Sequence, residues 1–213
     1  MDFLPSVPTA LAFIAASLLL AATPGPDMTL SISRALSQGK TPALYVVLGT
    51  SLGIVVHTLL VAFGISALIT ASPIAFTILK TGGAAYLLWL AIQAIRFGSK
   101  LNVNALEEPK GTPLSNISSG FWVNLLNPKV IIFFMTFLPQ FVTAGDPTVT
   151  QKLLFFGLLF ILVGMPVNAL VVLASDKLAS WLQNNKKVLR GMDYTFAGVF
   201  SVFAAKIFFT HAR

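Results

Sequence analysis

Two short segments carry the residue types that could do chemistry: Thr23-Pro24-Gly25-Pro26-Asp27 and Asn127-Pro128-Lys129. A proline inside a helix removes a backbone donor and clashes with the preceding turn. Two prolines flanking a glycine therefore predict a break. Thr followed by Pro is also a helix start, because the hydroxyl can cap and proline suits the first helical position. A new helix over 28–36 would expose backbone N–H groups and the positive end of its dipole at the break, where a carboxylate can bind. The competing reading is a plain loop closing the first apolar segment. Asn127-Pro128 repeats the arrangement ahead of 130–141, with Asn127 as the cap. Lys129 can pair with an anionic group there, or can extend its ammonium to the membrane surface. Asp27 is the one carboxylate near either break in sequence. It can bind an ammonium, carry a coupling proton, or pair with Lys129 or Arg34. His57 is the second proton-coupling candidate, set against the plainer role of a hydrogen-bonded interior histidine.

The elements that position these residues follow from composition. Hydrophobic types make up 56% of the 213 residues, charged types only 10%, and mean hydropathy is +0.85. An ordinary soluble domain is about 25% charged. Apolar runs recur at 4–22, 43–69, 74–95, 120–142, 153–174 and 192–209, each near the roughly 20 residues that span a bilayer. Unbroken Leu, Ala, Gly, Val and Phe content argues for helices, since barrel strands would alternate. The expectation is an all-α integral membrane protein with six transmembrane helices, the first and fourth broken by proline. The first run could imitate a signal peptide, but the only early charge is Asp2, and such a peptide opens with positive charge. It is read as a retained helix.

The basic residues lie between apolar runs, which points to topology and anionic lipid rather than nucleic acid. With six spans, Lys80, Lys152, Lys206 and Arg213 fall on one side. The other ten Lys and Arg, among them Arg34, Lys40, Lys100, Lys110, Lys129 and Lys177, fall on the opposite side. The richer side is expected to be cytoplasmic, with both termini periplasmic. The polar stretch 97–119, with Lys100, Glu107, Glu108 and Lys110, is the natural middle of a single domain over 1–213.

The halves echo each other. One break falls in each, and the pair Lys80 and Arg96 has the same separation as Arg190 and Lys206. Three spans per half invert the second half, giving two inverted three-helix repeats over about 1–104 and 105–213. Broken helices in matching positions of inverted repeats mark transporter binding sites. Gly49 and Gly53 lie one turn apart and would allow close helix packing, as would the run Gly82-Gly83-Ala84-Ala85. Asn124, Gln140 and Asn168 can line a path or join neighbouring helices. With two His, no Cys and seven acidic residues, there is no credible metal cluster, paired-carboxylate site, nucleophilic triad or cofactor motif. An enzyme is not expected.

The segments 22–28 (ATPGPDM), 33–39 (SRALSQG), 79–88 (LKTGGAAYLL) and 120–129 (GFWVNLLNPK), followed by Phe133-Phe134 and 137–141 (FLPQF), resemble the LysE/RhtB family of bacterial amino-acid exporters. The resemblance covers nearly the whole chain. It implies a secondary transporter in the bacterial inner membrane that exports an amino acid or close derivative from the cytoplasm, driven by the proton gradient. The usual polar positions of the family map onto Asp27, Asn127 and Lys129. The expected substrate-binding set is thus Thr23, Pro24, Gly25, Pro26, Asp27, Asn127, Pro128 and Lys129, with Asp27 and His57 as proton-coupling candidates. Many relatives carry an acid just after the second glycine of the second span; here that residue is Ile54. The expected partners are a small amino-acid-like substrate, protons, the lipid bilayer and a homo-oligomeric copy. Rival readings are a metal-ion exporter of the wider superfamily, which would need several hard oxygen ligands where only Asp27 is at hand, and a non-transporting membrane subunit, which would need no matched breaks.

Overall fold

The computed structural model describes residues 4–98, 111–143 and 146–210. Among them are nine helices: α1 (Val7–Ala22), α2 (Pro26–Gln38), α3 (Lys40–Ala71), α4 (Pro73–Phe97), α5 (Pro113–Leu125), α6 (Pro128–Thr136), α7 (Val149–Leu173), α8 (Ser175–Asn184) and α9 (Lys186–Thr210), with a 3-10 turn at Leu138–Phe141. Proline starts α2, α4, α5 and α6, where its missing N–H costs nothing. Lys100, Glu107, Glu108, Lys110 and Arg213, and the expected repeat boundary at 104–105, lie outside the described residues.

Both expected breaks are present. α1 and α2 meet at 51°, and α5 meets the segment from Pro128 to Phe141 at 55°. α3, α4 and α7 are each long and apolar enough to cross a membrane, and each bent pair qualifies as one further span. The sixth expected crossing, 192–209, falls within α9. That helix has 25 residues, about 37 Å at 1.5 Å per residue, but carries Lys186, Lys187, Arg190 and Asp193 in its first turns. The amphipathic α8 was not foreseen. Its Leu182 packs with Met28, Ile32 and Leu189, so it braces α2 against α9.

The helices pack α3 against α7, α4 against α9, α5 on α3 and α1 on α7. Polar contacts tie the helix ends. Lys40 pairs with Asp176 at 3.4 Å, and Arg190 donates to the Ile95 carbonyl at 2.9 Å, closing the end of α4. At the far end Lys80 reaches the Val142 carbonyl, and Lys152 pairs with Asp146. A phenylalanine pile fills the centre of that half, with Phe133 and Phe137 rings 4.6 Å apart and Phe13 and Phe156 rings 4.7 Å apart.

Lipid tails are as apolar as leucine, so close van der Waals contact rather than water exclusion joins membrane helices. α3 and α5 meet backbone to backbone. A Cβ on Gly49 would run into the Ile117 carbonyl, and one on Gly120 would run into the Val46 carbonyl. Gly53 admits Asn124, whose Oδ1 would lie 2.6 Å from an added Cβ. Gly83 does the same for Thr136, while Gly82 faces open space. Gly120→Leu should therefore lower the thermal midpoint of the detergent-purified protein sharply, since overpacking costs about 1–3 kcal/mol even where side chains can yield. Gly198→Leu, on open surface, should leave the midpoint nearly unchanged. Equal shifts in both would remove the close contact from the account.

Asp146 organises the start of α7. Its carboxylate accepts from Thr148 N at 2.8 Å and Thr148 Oγ1 at 2.7 Å, and pairs with Lys152. These partners, the Lys152 bond foremost, hold its carboxyl down from 3.8 to about 2. The depressed value means the stabilisation is complete above 3.8 and is lost as pH falls through the window down to about 2. Asp146→Asn should lower the thermal midpoint near neutral pH, and the gap from wild type should close across that window. A gap independent of pH would assign the loss to shape rather than charge.

Candidate functional site

The site begins with a carbonyl that has lost its partner. In a continuous helix the Leu20 carbonyl would accept from the N–H of residue 24, and residue 24 is proline. Lys129 replaces that donor: its Nζ donates to the Leu20 carbonyl at 3.0 Å and to the Thr23 carbonyl at 2.8 Å. The lysine of the second break thus ties off the first. Gly25 lies beside it, and an added Cβ would be in ordinary contact with Lys129 Nζ at 3.6 Å. Lys129 does not extend to the membrane surface and so does not count among the loop cations that set topology.

The second break shows the same logic. The Asn124 carbonyl would accept from residue 128, again proline. Asn127 N–H reaches it at 3.0 Å, and His57 Nε2–H donates to it from α3 at 3.4 Å. Each break is therefore served by a nitrogen side chain from the opposite half. His57 is 6% exposed, with its ring 5.8 Å from that of Phe134, which matches the interior hydrogen-bonded role.

The caps differ from the sequence reading. Thr23 does not start α2. It closes α1, its hydroxyl donating to the Leu19 carbonyl at 2.6 Å. Gly25 is the N-cap of α2, with no side-chain cap, and Pro26 is the first helical residue. The amides that open α2 therefore keep their reach for an outside acceptor. Asn127 caps α6 as expected, accepting from Lys129 N–H at 3.0 Å.

Asp27 lies in the first turn of α2, where the helix dipole favours its charge. Its Oδ2 accepts from Asn124 Nδ2 at 2.9 Å, so Asn124 joins the two breaks. Among the described residues, Asp27 Oδ1 and Asn124 Oδ1 are buried acceptors with no hydrogen-bond donor. Thr23, Gly25, Asp27, Asn127 and Lys129 converge on one cavity of about 40 Å³, closed further by Thr50, Ile54, Asn124, Phe160 and Asn168. That volume holds a water or two and no amino acid. Pro24 is buried but does not line the cavity, and Pro26 and Pro128 are exposed. Thr23 also lines a groove of about 380 Å³ with Val188, Gly191, Met192 and Thr195 of α9. Gln140 lies elsewhere, donating to the Thr136 carbonyl at 2.8 Å in the far half.

Two site residues were not singled out as such by sequence reasoning. Asn124 was noted as polar but not as Asp27's partner. Thr50 sits on α3 with no local signal. Asp193 of α9 is buried but lies beside Gly98 and does not line the cavity. Among the described residues no group of three or more His, Cys, Asp or Glu lies together.

Comparison with known proteins shows the family. The family model described as LysE type translocator matches residues 18–210. The chain is 30% identical over 194 residues to the homoserine/homoserine lactone efflux protein of Salmonella typhi, covering 91% of this chain and 93% of that one. It is 22% identical over 200 residues to the leucine efflux protein of Enterobacter sp., covering 93% and 94%. An uncharacterized membrane protein of Vibrio cholerae is 36% identical over 138 residues, 65% of each chain. No solved structure matches. Helices built to cross a bilayer, two proline breaks facing one polar cavity and a match over nearly its whole length place this multi-pass membrane protein in the LysE type translocator family.

Proposed function

We propose that the protein exports an amino acid or close derivative from the cytoplasm, binding it as a zwitterion between the two breaks and drawing on the proton gradient. The observation that carries this reading is the pairing of opposite recognition chemistries in one cavity. Asp27 Oδ1 and Asn124 Oδ1 are buried acceptors without donors and suit an ammonium. The uncapped amides that open α2 suit a carboxylate. The family match and the names of the efflux relatives support the direction of transport and the substrate class.

The charge distribution supports six crossings, with the Lys40, Lys177 and Arg190 end in the cytoplasm and both termini in the periplasm. Of the phenylalanines, Phe160 lines the cavity and packs against Phe133 and Phe134 of the pile. Thr23 lines both this cavity and the α9 groove. On this reading the closed cavity widens by relative motion of the two halves, admitting substrate along α9 and releasing it past the phenylalanines.

Binding and transport by the purified protein test this reading with homoserine, leucine, other amino acids and divalent metals. Homoserine or leucine should bind and exchange in proteoliposomes. Asp27→Asn should weaken binding about tenfold or more, the cost of a charged hydrogen-bond partner, so exchange and uphill export fall together. Intact exchange with loss of uphill export would instead make Asp27 the proton carrier. Transport of metals alone would overturn the amino-acid reading.

A further inference from the structure

Lys129 stands where a transported cation would be held. Broken membrane helices commonly use unwound carbonyls to hold the ion that drives transport. Here the Leu20 and Thr23 carbonyls hold an ammonium that belongs to the chain itself. The substrate class inferred above also carries an ammonium, and Asp27 lines the same cavity. Two ammonium groups cannot occupy these carbonyls at once.

We propose that Lys129 is the coupling-proton site: protonated, it fills the Leu20 and Thr23 carbonyls, and on losing its proton it yields them to the substrate's ammonium. This rests on the export reading. The step is Lys129–NH₃⁺ giving Lys129–NH₂ and a proton passed to cytoplasmic water, with no bond formed or broken elsewhere. After the substrate leaves on the opposite side, the amine takes a proton from periplasmic water and returns to the carbonyls. The substrate is neutral overall, so the cavity gives up one positive charge as the substrate binds and regains it when the amine is reprotonated; one substrate leaves for each proton that enters. A lysine suits this role because its amine exists in both forms, whereas an arginine stays charged.

The surroundings fit the exchange. Asp27 from α2 and Asp193 from α9 are the acids whose charges reach Lys129. His57 from α3 faces the same cluster through the Asn124 carbonyl. α1 and α5 carry no charged residue. Asp27 is bound through Oδ2 to Asn124 and remains in place to receive the substrate's ammonium on Oδ1. His57 is spent on the second break, which leaves Lys129 as the group whose release would free a binding surface.

The test is proton release on binding. Homoserine, with leucine as a second probe, is added to the purified protein in weak buffer containing a pH indicator. Wild type should release about one proton per molecule bound, and its Kd should fall by up to tenfold per unit between about pH 6 and 8. Lys129→Arg should bind more weakly, release no proton and show a flat Kd over that range. His57→Asn should still release a proton. Binding without proton release in wild type, or release that persists in Lys129→Arg, overturns the proposal. If Lys129→Arg does not fold, the wild-type slope decides alone. Failure of both amino acids to bind defeats the export reading, and this proposal falls with it.

Discussion

An orphaned carbonyl is the constraint from which the rest follows. Pro24 removes the donor that the Leu20 carbonyl needs, and in a bilayer no water replaces it at low cost. The chain supplies a donor from half a sequence away, the Lys129 ammonium. That bond forces the two breaks to face each other. The facing arrangement places Asn124 against Asp27, and the cavity between them is what remains. Pro128 and the Asn124 carbonyl pose the same problem, met in part by His57.

The scaffold holds this arrangement by contact rather than by hydrophobic burial. Gly49 and Gly120 let α3 and α5 touch through their backbones, which fixes Asn124 relative to Gly53 and α3. α8 clamps α2 against α9 through Leu182, Met28, Ile32 and Leu189. The α3–α5 contact is backbone to backbone, whereas α1 and α9 leave between them the groove that Thr23 borders.

Much of this was legible in the residues. The breaks were plain because proline and glycine have few uses inside a spanning helix. The helical membrane class followed from six long apolar runs. The close-packing role of Gly49 and Gly53 was read from their one-turn spacing. Other features were hidden for physical reasons. Thr23 has the chemistry of either cap, and which end of which helix it closes depends on where the backbone turns. α8 is short and polar, so apolar-run reasoning passed over it. The partnerships of Lys129 with Leu20, and of Asn124 with Asp27, link residues about half a chain apart. No local pattern encodes such pairs.

The central claim is that the two facing breaks enclose the substrate. The chain has no cysteine, so a single introduced thiol reports on its own position. Thr50 lines the cavity, and Gly64 lines an apolar groove apart from it. The most direct measurement is the rate at which a small maleimide labels Thr50→Cys and Gly64→Cys, with and without saturating homoserine or leucine. The account predicts that substrate slows labelling at position 50 severalfold and leaves position 64 unchanged. Unchanged labelling at position 50 with a substrate shown to bind, or equal protection at both positions, would place the substrate elsewhere and contradict it.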